Sequence, residues 1–199
     1  MNKSLVICGI DEAGRGALAG SLVAAAVIHP ASSAINKKVR IMHLKDGKLL
    51  SPVKRKQIVS RIKSLGLQIV IEEVSTLQIN HHGIGWANKE IIRRLIRRIE
   101  ADEYIVDGNM KLGRVRKKTQ RIKSIVDADA TIPAVIMAGI VAKVHRDATM
   151  KTLHKQFPKY KWNKNSGYGT KKHILAIKKY GTTRFHRGVF VTTALRNCE

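Results

Sequence analysis

The sequence predicts an α/β fold. Short runs rich in Val, Ile and Ala have the length and composition of buried strands. Between them lie longer stretches with the three-to-four-residue apolar spacing of helices. The whole is 199 residues with 44% hydrophobic content, the size and core content of one compact domain.

The elements follow in chain order. Residues 5–10 and 18–28 read as two buried strands separated by a glycine-rich turn. Residues 37–56 are basic and turn-rich. Within them Ser51-Pro52 opens a helix, with Ser51 as N-cap and Pro52 at the first helical position, and that helix ends near Gly66. Residues 67–74 form a strand and 81–85 a loop. Residues 86–99 form an amphipathic helix, with Ile91, Ile92, Leu95, Ile96 and Ile99 on one face and Arg93, Arg94, Arg97 and Arg98 on the other. A short strand over 103–106 ends at Asp107-Gly108-Asn109, and 122–126 is a further strand. The longest helix covers 133–157 and is stopped by Pro158. Residues 160–169 are a polar loop, 170–180 a short helix, and the tail beyond Arg187 is weakly patterned. No internal repeat or low-complexity linker divides the chain.

Charge narrows the function. Lys and Arg number 38 against 14 Asp and Glu, a net charge of +24. Such a balance calls for a polyanionic partner, and nucleic acid leads because a basic surface gains affinity by releasing its counterions. A membrane surface is the weaker choice, since the charge is spread along the chain rather than gathered in one amphipathic helix or tail. The apolar start is interrupted by Asp11, Glu12 and Arg15, which argues against a leader or a span. A cytoplasmic protein is expected. Cys8 and Cys198, the only cysteines, make neither a disulfide framework nor a zinc site, and Cys8 reads as a small buried hydrophobe.

The C-terminal part, about 148–199, stands out. From 148 to 198 it holds twelve Lys and Arg and no Asp or Glu. Soluble surfaces normally mix signs. Tyr160, Trp162 and Tyr168 interleave with Lys159, Lys161, Lys164 and Lys171, a pattern suited to neutralising a backbone and stacking on sugars or bases.

The scarce acids carry the chemistry. Asp11 and Glu12 follow one strand, Asp107 ends another, and Asp129 precedes the helix near Pro133. Clustered carboxylates raise each other's pKa, and a divalent cation reverses that cost. Oxygen ligands suit Mg²⁺ or Mn²⁺ rather than Zn²⁺. Gly14-Arg15-Gly16 with Ala19 matches a loose dinucleotide fingerprint, but Asp11 and Glu12 would repel a pyrophosphate there. The ribose-binding acid expected about twenty residues on is replaced by Lys37, Lys38 and Arg40. Those glycines instead suit close approach of backbone to a sugar or phosphate. His81-His82 reads as a solvated pair, and His145 and His186 as candidate phosphate contacts. Neither a phosphate-binding Walker loop nor a nucleophile elbow is present.

Taken together the motifs resemble type 2 ribonuclease H, the ribonuclease HII family. The matching segments are Gly9-Ile10-Asp11-Glu12-Ala13-Gly14-Arg15-Gly16, Leu50-Ser51-Pro52, Val106-Asp107-Gly108-Asn109, Ile140-Val141-Ala142-Lys143-Val144 with Arg146-Asp147, Gly167-Tyr168-Gly169-Thr170 with His173, and His186-Arg187. The resemblance implies an RNase H-like fold: a central mixed β-sheet flanked by helices, with a helical C-terminal part, in a single catalytic domain over 1–199. It implies metal-binding catalytic acids at Asp11, Glu12, Asp107 and Asp129, with Asp127 competing for the fourth place, and a structural Asp147. Gly14, Arg15 and Gly16 match the loop that meets the sugar-phosphate backbone at a ribonucleotide, and Tyr168 the tyrosine that packs on the neighbouring deoxyribose. Lys143, Lys171 and Arg187 are expected to position phosphates.

The implied activity is endonucleolytic hydrolysis of RNA in RNA–DNA hybrids and at single ribonucleotides in duplex DNA. Two Mn²⁺ or Mg²⁺ ions would assist it, with cleavage 5′ of the ribonucleotide leaving 3′-hydroxyl and 5′-phosphate ends. A monomer is expected. The chain departs from the family pattern at Ala17, Ser21, Leu49, Gly83, Gly139 and Val189, which bears on substrate grip rather than on the acids. Two other readings compete. A non-catalytic basic RNA-binding module explains the charge but not the strand-end acids. A type 3 ribonuclease H usually carries an extra N-terminal domain, for which a metal motif at residue 11 leaves no room.

Overall fold

The computed structural model describes residues 5–31, 44, 50–113, 115 and 121–197. Leu49, the Lys45–Lys48 segment, Cys198 and most of the basic run between 111 and 123 lie outside the described residues. Five strands form one mixed sheet: β1 (Val6–Ala13), β2 (Leu22–Pro30), β3 (Gln68–Val74), β4 (Glu103–Asp107) and β5 (Arg121–Ile125), in the spatial order β3-β2-β1-β4-β5. The β1–β2 and β2–β3 pairs are antiparallel; β1–β4 and β4–β5 are parallel. Among the described residues the helices are α1 (Pro52–Ser64), α2 (Thr76–His82), α3 (Ile84–Arg98), α4 (Ala128–Thr131), α5 (Pro133–Gln156), α6 (Trp162–Asn165), α7 (Lys171–Tyr180) and α8 (Gly188–Arg196), with a 3₁₀ turn at Pro158–Tyr160.

The period-two pattern of β2 explains the layering. Leu22, Ala24, Ala26 and Ile28 face α3, where Ile91, Ile92, Leu95 and Ile96 complete one core. Val23, Ala25 and Val27 face the other way and meet Ile58 and Ile62 of α1 and Met137, Ile140 and Val141 of α5. A sheet covered on both faces needs small residues where α5 comes close. Gly9 supplies one, since a Cβ there would stand 2.3 Å from the Ala134 backbone. Buried Cys8 agrees with its reading as a hydrophobe.

The structure corrects four details. β1 continues through Asp11 and Glu12 to Ala13, so these acids lie within the strand rather than after it. The second strand starts at Leu22, while Leu18 and Ala19 belong to the loop, where Ala19 bridges to His186. Helices α2 and α8 occupy stretches read as unpatterned or loop. Finally, the 160–169 segment is not a polar loop. It contains a 3₁₀ turn and α6, and Tyr160 and Trp162 are buried with Leu18, Met150, Ile177 and Val191 in a third core. Those two rings are therefore withdrawn from any stacking surface.

Candidate active site

Parallel pairing of β1 with β4 brings the first acids together. Ile10 is in register with Val106, so the next residues, Asp11 and Asp107, stand side by side where β4 ends and β1 runs on. Because side chains alternate along a strand, Asp11 turns toward α5 and Glu12 toward α3. Asn88 Nδ2 on α3 donates to Glu12 Oε1 at 3.5 Å. The chain then leaves β5 for α4, where the Asp129 amide donates to Asp107 Oδ1 at 3.1 Å. Asp129 lines a cleft of ≈ 410 Å³ together with Asp11 and Glu12. Asp127, the competitor, is exposed with a left-handed backbone (φ 57°) and does not line it.

The electrostatics are those of crowded, dehydrated carboxylates. Burial first, then Glu12, Asp107 and Asp129, push Asp11 up to about 8. Burial likewise raises Glu12, partly offset by Arg15, whose guanidinium lies 3.9 Å away. Glu12 Oε2 is buried with no hydrogen-bond partner, and so is Asn88 Oδ1. A buried lone pair without a donor is costly. These donors are all oxygen, and among the described residues the cleft's cations are Arg15, Arg55 and Lys143, so the carboxylates fit a hard divalent cation. Among the described residues no three such side chains are gathered tightly enough to hold an ion alone.

Beside the acids lies the glycine loop. Gly14 has φ +92°, and a Cβ there would meet Arg146 Nε at 1.9 Å, so glycine is required. Arg15 and Gly16 are exposed at the mouth of the cleft. Lys143 and Tyr168 line the same cleft, with Lys143 Nζ 5.4 Å from the Tyr168 ring centre. Lys143 Nζ also bonds Asp147 at 2.8 Å, as does Ser166 Oγ, so Asp147 has the structural role expected of it.

Four of the sequence's phosphate contacts fall elsewhere. Arg187 is fully buried. Its guanidinium donates to Gly14, Arg15 and Gly20 carbonyls at 2.7–3.0 Å, so it braces the loop from behind and cannot touch a phosphate. His186 is buried against His173 and Trp162. His145 bonds Glu73 at 2.7 Å. Lys171 is exposed but lines a neighbouring depression, not the acid cleft.

Sequence reasoning missed Asn88 and Arg55, and the roles of Arg146 and of Gly139, a departure that does bear on an acid. Arg146, also fully buried, donates to Ala19, Ser21 and Ser166 carbonyls. Gly139 leaves room for Asp11, whose Oδ2 would lie 2.2 Å from a Cβ at that position. Of the other departures, Ser21 Oγ donates to Glu73 at 2.7 Å and Val189 is exposed. Neither touches the acids.

Comparison with known proteins follows the same lines. Residues 8–193 match the family model of ribonuclease HII. The chain is 41% identical over 189 residues to ribonuclease HII of Helicobacter pylori (strain J99 / ATCC 700824), covering 92% of this chain and 87% of that protein. Its fold is similar to that of the ribonuclease H2 from Pyrococcus horikoshii OT3, with a TM-score of 0.79 at 23% identity over 97% of this chain and 98% of that one. It is similar too to Bst-RNase HIII in complex with Mn²⁺, with a TM-score of 0.74 at 18% identity over 98% of this chain and 71% of that one.

Proposed function

The chain belongs to the ribonuclease HII family, and we propose that it performs that family's hydrolysis at Asp11, Glu12, Asp107 and Asp129. It is a metal-dependent endoribonuclease that cleaves RNA in RNA–DNA hybrids and ribonucleotides embedded in duplex DNA. The observation that carries the placement is Asp11, within β1, standing beside Asp107 at the end of the parallel strand β4, with the unpartnered Glu12 oxygen next to them.

Asp11, Glu12, Asp107 and Asp129 would hold a pair of Mn²⁺ or Mg²⁺ ions, which would supply an activated water and charge stabilisation for the leaving 3′-oxygen. The protein's own groups do the positioning. Asn88 fixes one oxygen of Glu12 and leaves the other free to ligate. Gly14, Arg15 and Gly16 bring backbone to the ribose, where the 2′-hydroxyl alone separates RNA from DNA. Tyr168 packs on the adjacent deoxyribose, and Lys143 holds a phosphate in the same cleft. Cleavage falls 5′ of the ribonucleotide and leaves 3′-hydroxyl and 5′-phosphate ends. The chain works as a single catalytic domain and a monomer in the cytoplasm, and its basic C-terminal part contributes to substrate binding. Among the described residues no helix is long and apolar enough to cross a membrane.

The test is cleavage of a labelled DNA duplex carrying one ribonucleotide, with Mg²⁺, Mn²⁺ or EDTA, beside an RNA–DNA hybrid and an all-DNA control. Asp11→Asn is expected to lower turnover by about 10²–10³-fold, the scale of losing one group that stabilises transition-state charge. Duplex binding should be kept or tightened. Near-normal turnover in Asp11→Asn would move the metal centre elsewhere.

A further inference from the structure

Three depressions on this surface share walls. The acid cleft and a second depression of ≈ 330 Å³ both use Arg55 and Lys143. The second and a third, of ≈ 800 Å³, both use Asn163 and Lys164. Together they make one trough that follows α5. Gly139 lines its acid end and His154 its far end. Those positions are about fifteen residues apart, or about 22 Å along a helix rising about 1.5 Å per residue.

The trough changes sign along its length. Past the catalytic acids its one carboxylate among the described residues is Asp147, already engaged by Lys143 at 2.8 Å, Ser166 at 2.8 Å and Arg55 at 3.9 Å. The far end is cationic: Lys161, Lys164, Lys171 and Lys172 converge from the 3₁₀ turn, α6 and α7. Among the described residues none of these four is in an ion pair with a carboxylate. Lys161 is held there by a left-handed backbone, φ 54°. His154 also lines this end, and its Nδ1 is buried without a hydrogen-bond partner. The amino end of α7 opens on the same space and adds a favourable dipole. A solvated face would not need four cations from three elements around one hollow.

We propose that this trough seats the sugar-phosphate backbone of duplex nucleic acid on one flank of the cut, out to about six base pairs at about 3.4 Å per step. The proposal rests on the ribonuclease reading of the acid cleft and adds a one-sided grip to it. Double-stranded substrate is favoured over a single strand because, among the described residues, the far end presents cations and amides but no Phe, Tyr or Trp for bases to stack on. Such contacts set register without reading sequence.

The experiment uses duplexes of equal length with one ribonucleotide moved toward either end. KM is expected to rise about tenfold when one particular flank falls below about six base pairs, while the other flank can be shortened further without that rise. Replacing Lys161, Lys164 and Lys172 with Gln should erase this asymmetry, so that long-flanked and short-flanked duplexes give the same KM. The slope of log affinity against log salt should shrink by up to about three, near one per lost phosphate contact. Equal dependence on both flanks, or a KM rise in the triple variant that is the same for short and long flanks, would overturn the trough while leaving the ribonuclease reading intact. So would full rescue by a single-stranded overhang, which would give the trough to a single strand. Failure to cut even the long-flanked duplex with either metal would overturn both.

Discussion

At the scale of single residues, position in the chain announced the acids but charge type misled about the cations. Asp11 and Asp107 were legible because an acid ending an apolar strand run has few structural uses. Asp129 was separable from Asp127 only by geometry, since the two differ in which faces the cleft. Arg187 was misread because the sequence does not tell an arginine aimed at solvent from one aimed at carbonyls. Its complete burial is sustained by four hydrogen bonds to the glycine loop. Burial and the neighbouring Arg146 guanidinium both disfavour its charge, so the carbonyls must solvate it. Arg187→Lys keeps the charge and discards the fork. We predict a stability loss of about 3 kcal/mol, the scale of breaking several charged hydrogen bonds in a buried site. Read as a melting temperature lowered by about 6–12 °C, it would set the brace apart from a phosphate contact, for which lysine would serve with no change in melting.

At the scale of elements, long periodic segments such as α3 and α5 were legible to within a residue or two, because each shows a full apolar stripe or an unbroken buried run. Short ones were not. α2 has seven residues and one firm signal, the Ser75–Gln78 capping box. It matters because Asn80 on it bonds the His186 carbonyl and the Gly188 amide. Tyr160 and Trp162 read as a surface in sequence, yet they pack together and Trp162 meets Phe157.

Behind them lies a neutral histidine pair. The His173 Nδ1–H donates to the Tyr168 carbonyl, and its Nε2 accepts from Trp162 and from His186. His186 Nδ1 accepts from the Thr183 amide. A proton added to either ring sets donor against donor. Burial lowers both, with His186 falling to about 4 from 6.5. Between those values the unfolded chain binds more protons than the folded one. Stability is therefore full above about pH 6.5 and declines toward pH 4, by on the order of 3 kcal/mol for His186. Melting curves at pH 7.5, 5.5 and 4.5 would read the decline, and NMR titration should place both ring midpoints below 6.5. A midpoint at or above 6.5 for His186 would refute the neutral pair.

At the scale of the whole molecule, the net charge of +24 correctly pointed to a polyanion, and the fold class followed from alternating strand and helix patterns. How the trough assembles was not legible, because it joins α1, α5, α6 and α7 through contacts distant in sequence. The repulsion stored among four acids has a global reading too. Divalent cation is expected to raise the melting temperature of the wild type, since a ligand that binds only the folded state stabilises it by mass action, by about 2.7 kcal/mol at a hundredfold excess over its dissociation constant. The same addition should do far less for Asp11→Asn, and EDTA should return the wild type to its metal-free value. Equal shifts in both proteins would mean that the ion binds elsewhere. The buried brace also imposes an order in time. Arg187 bonds a carbonyl 173 positions before it. At roughly 5–20 residues per second, a ribosome exposes the strand bearing Asp11 about ten to thirty seconds before it supplies the arginine that shapes the neighbouring loop. A nascent chain thus carries Asp11 and Glu12 early, gains Asp107 and Asp129 later, and can brace the glycine loop only after Arg187 has emerged.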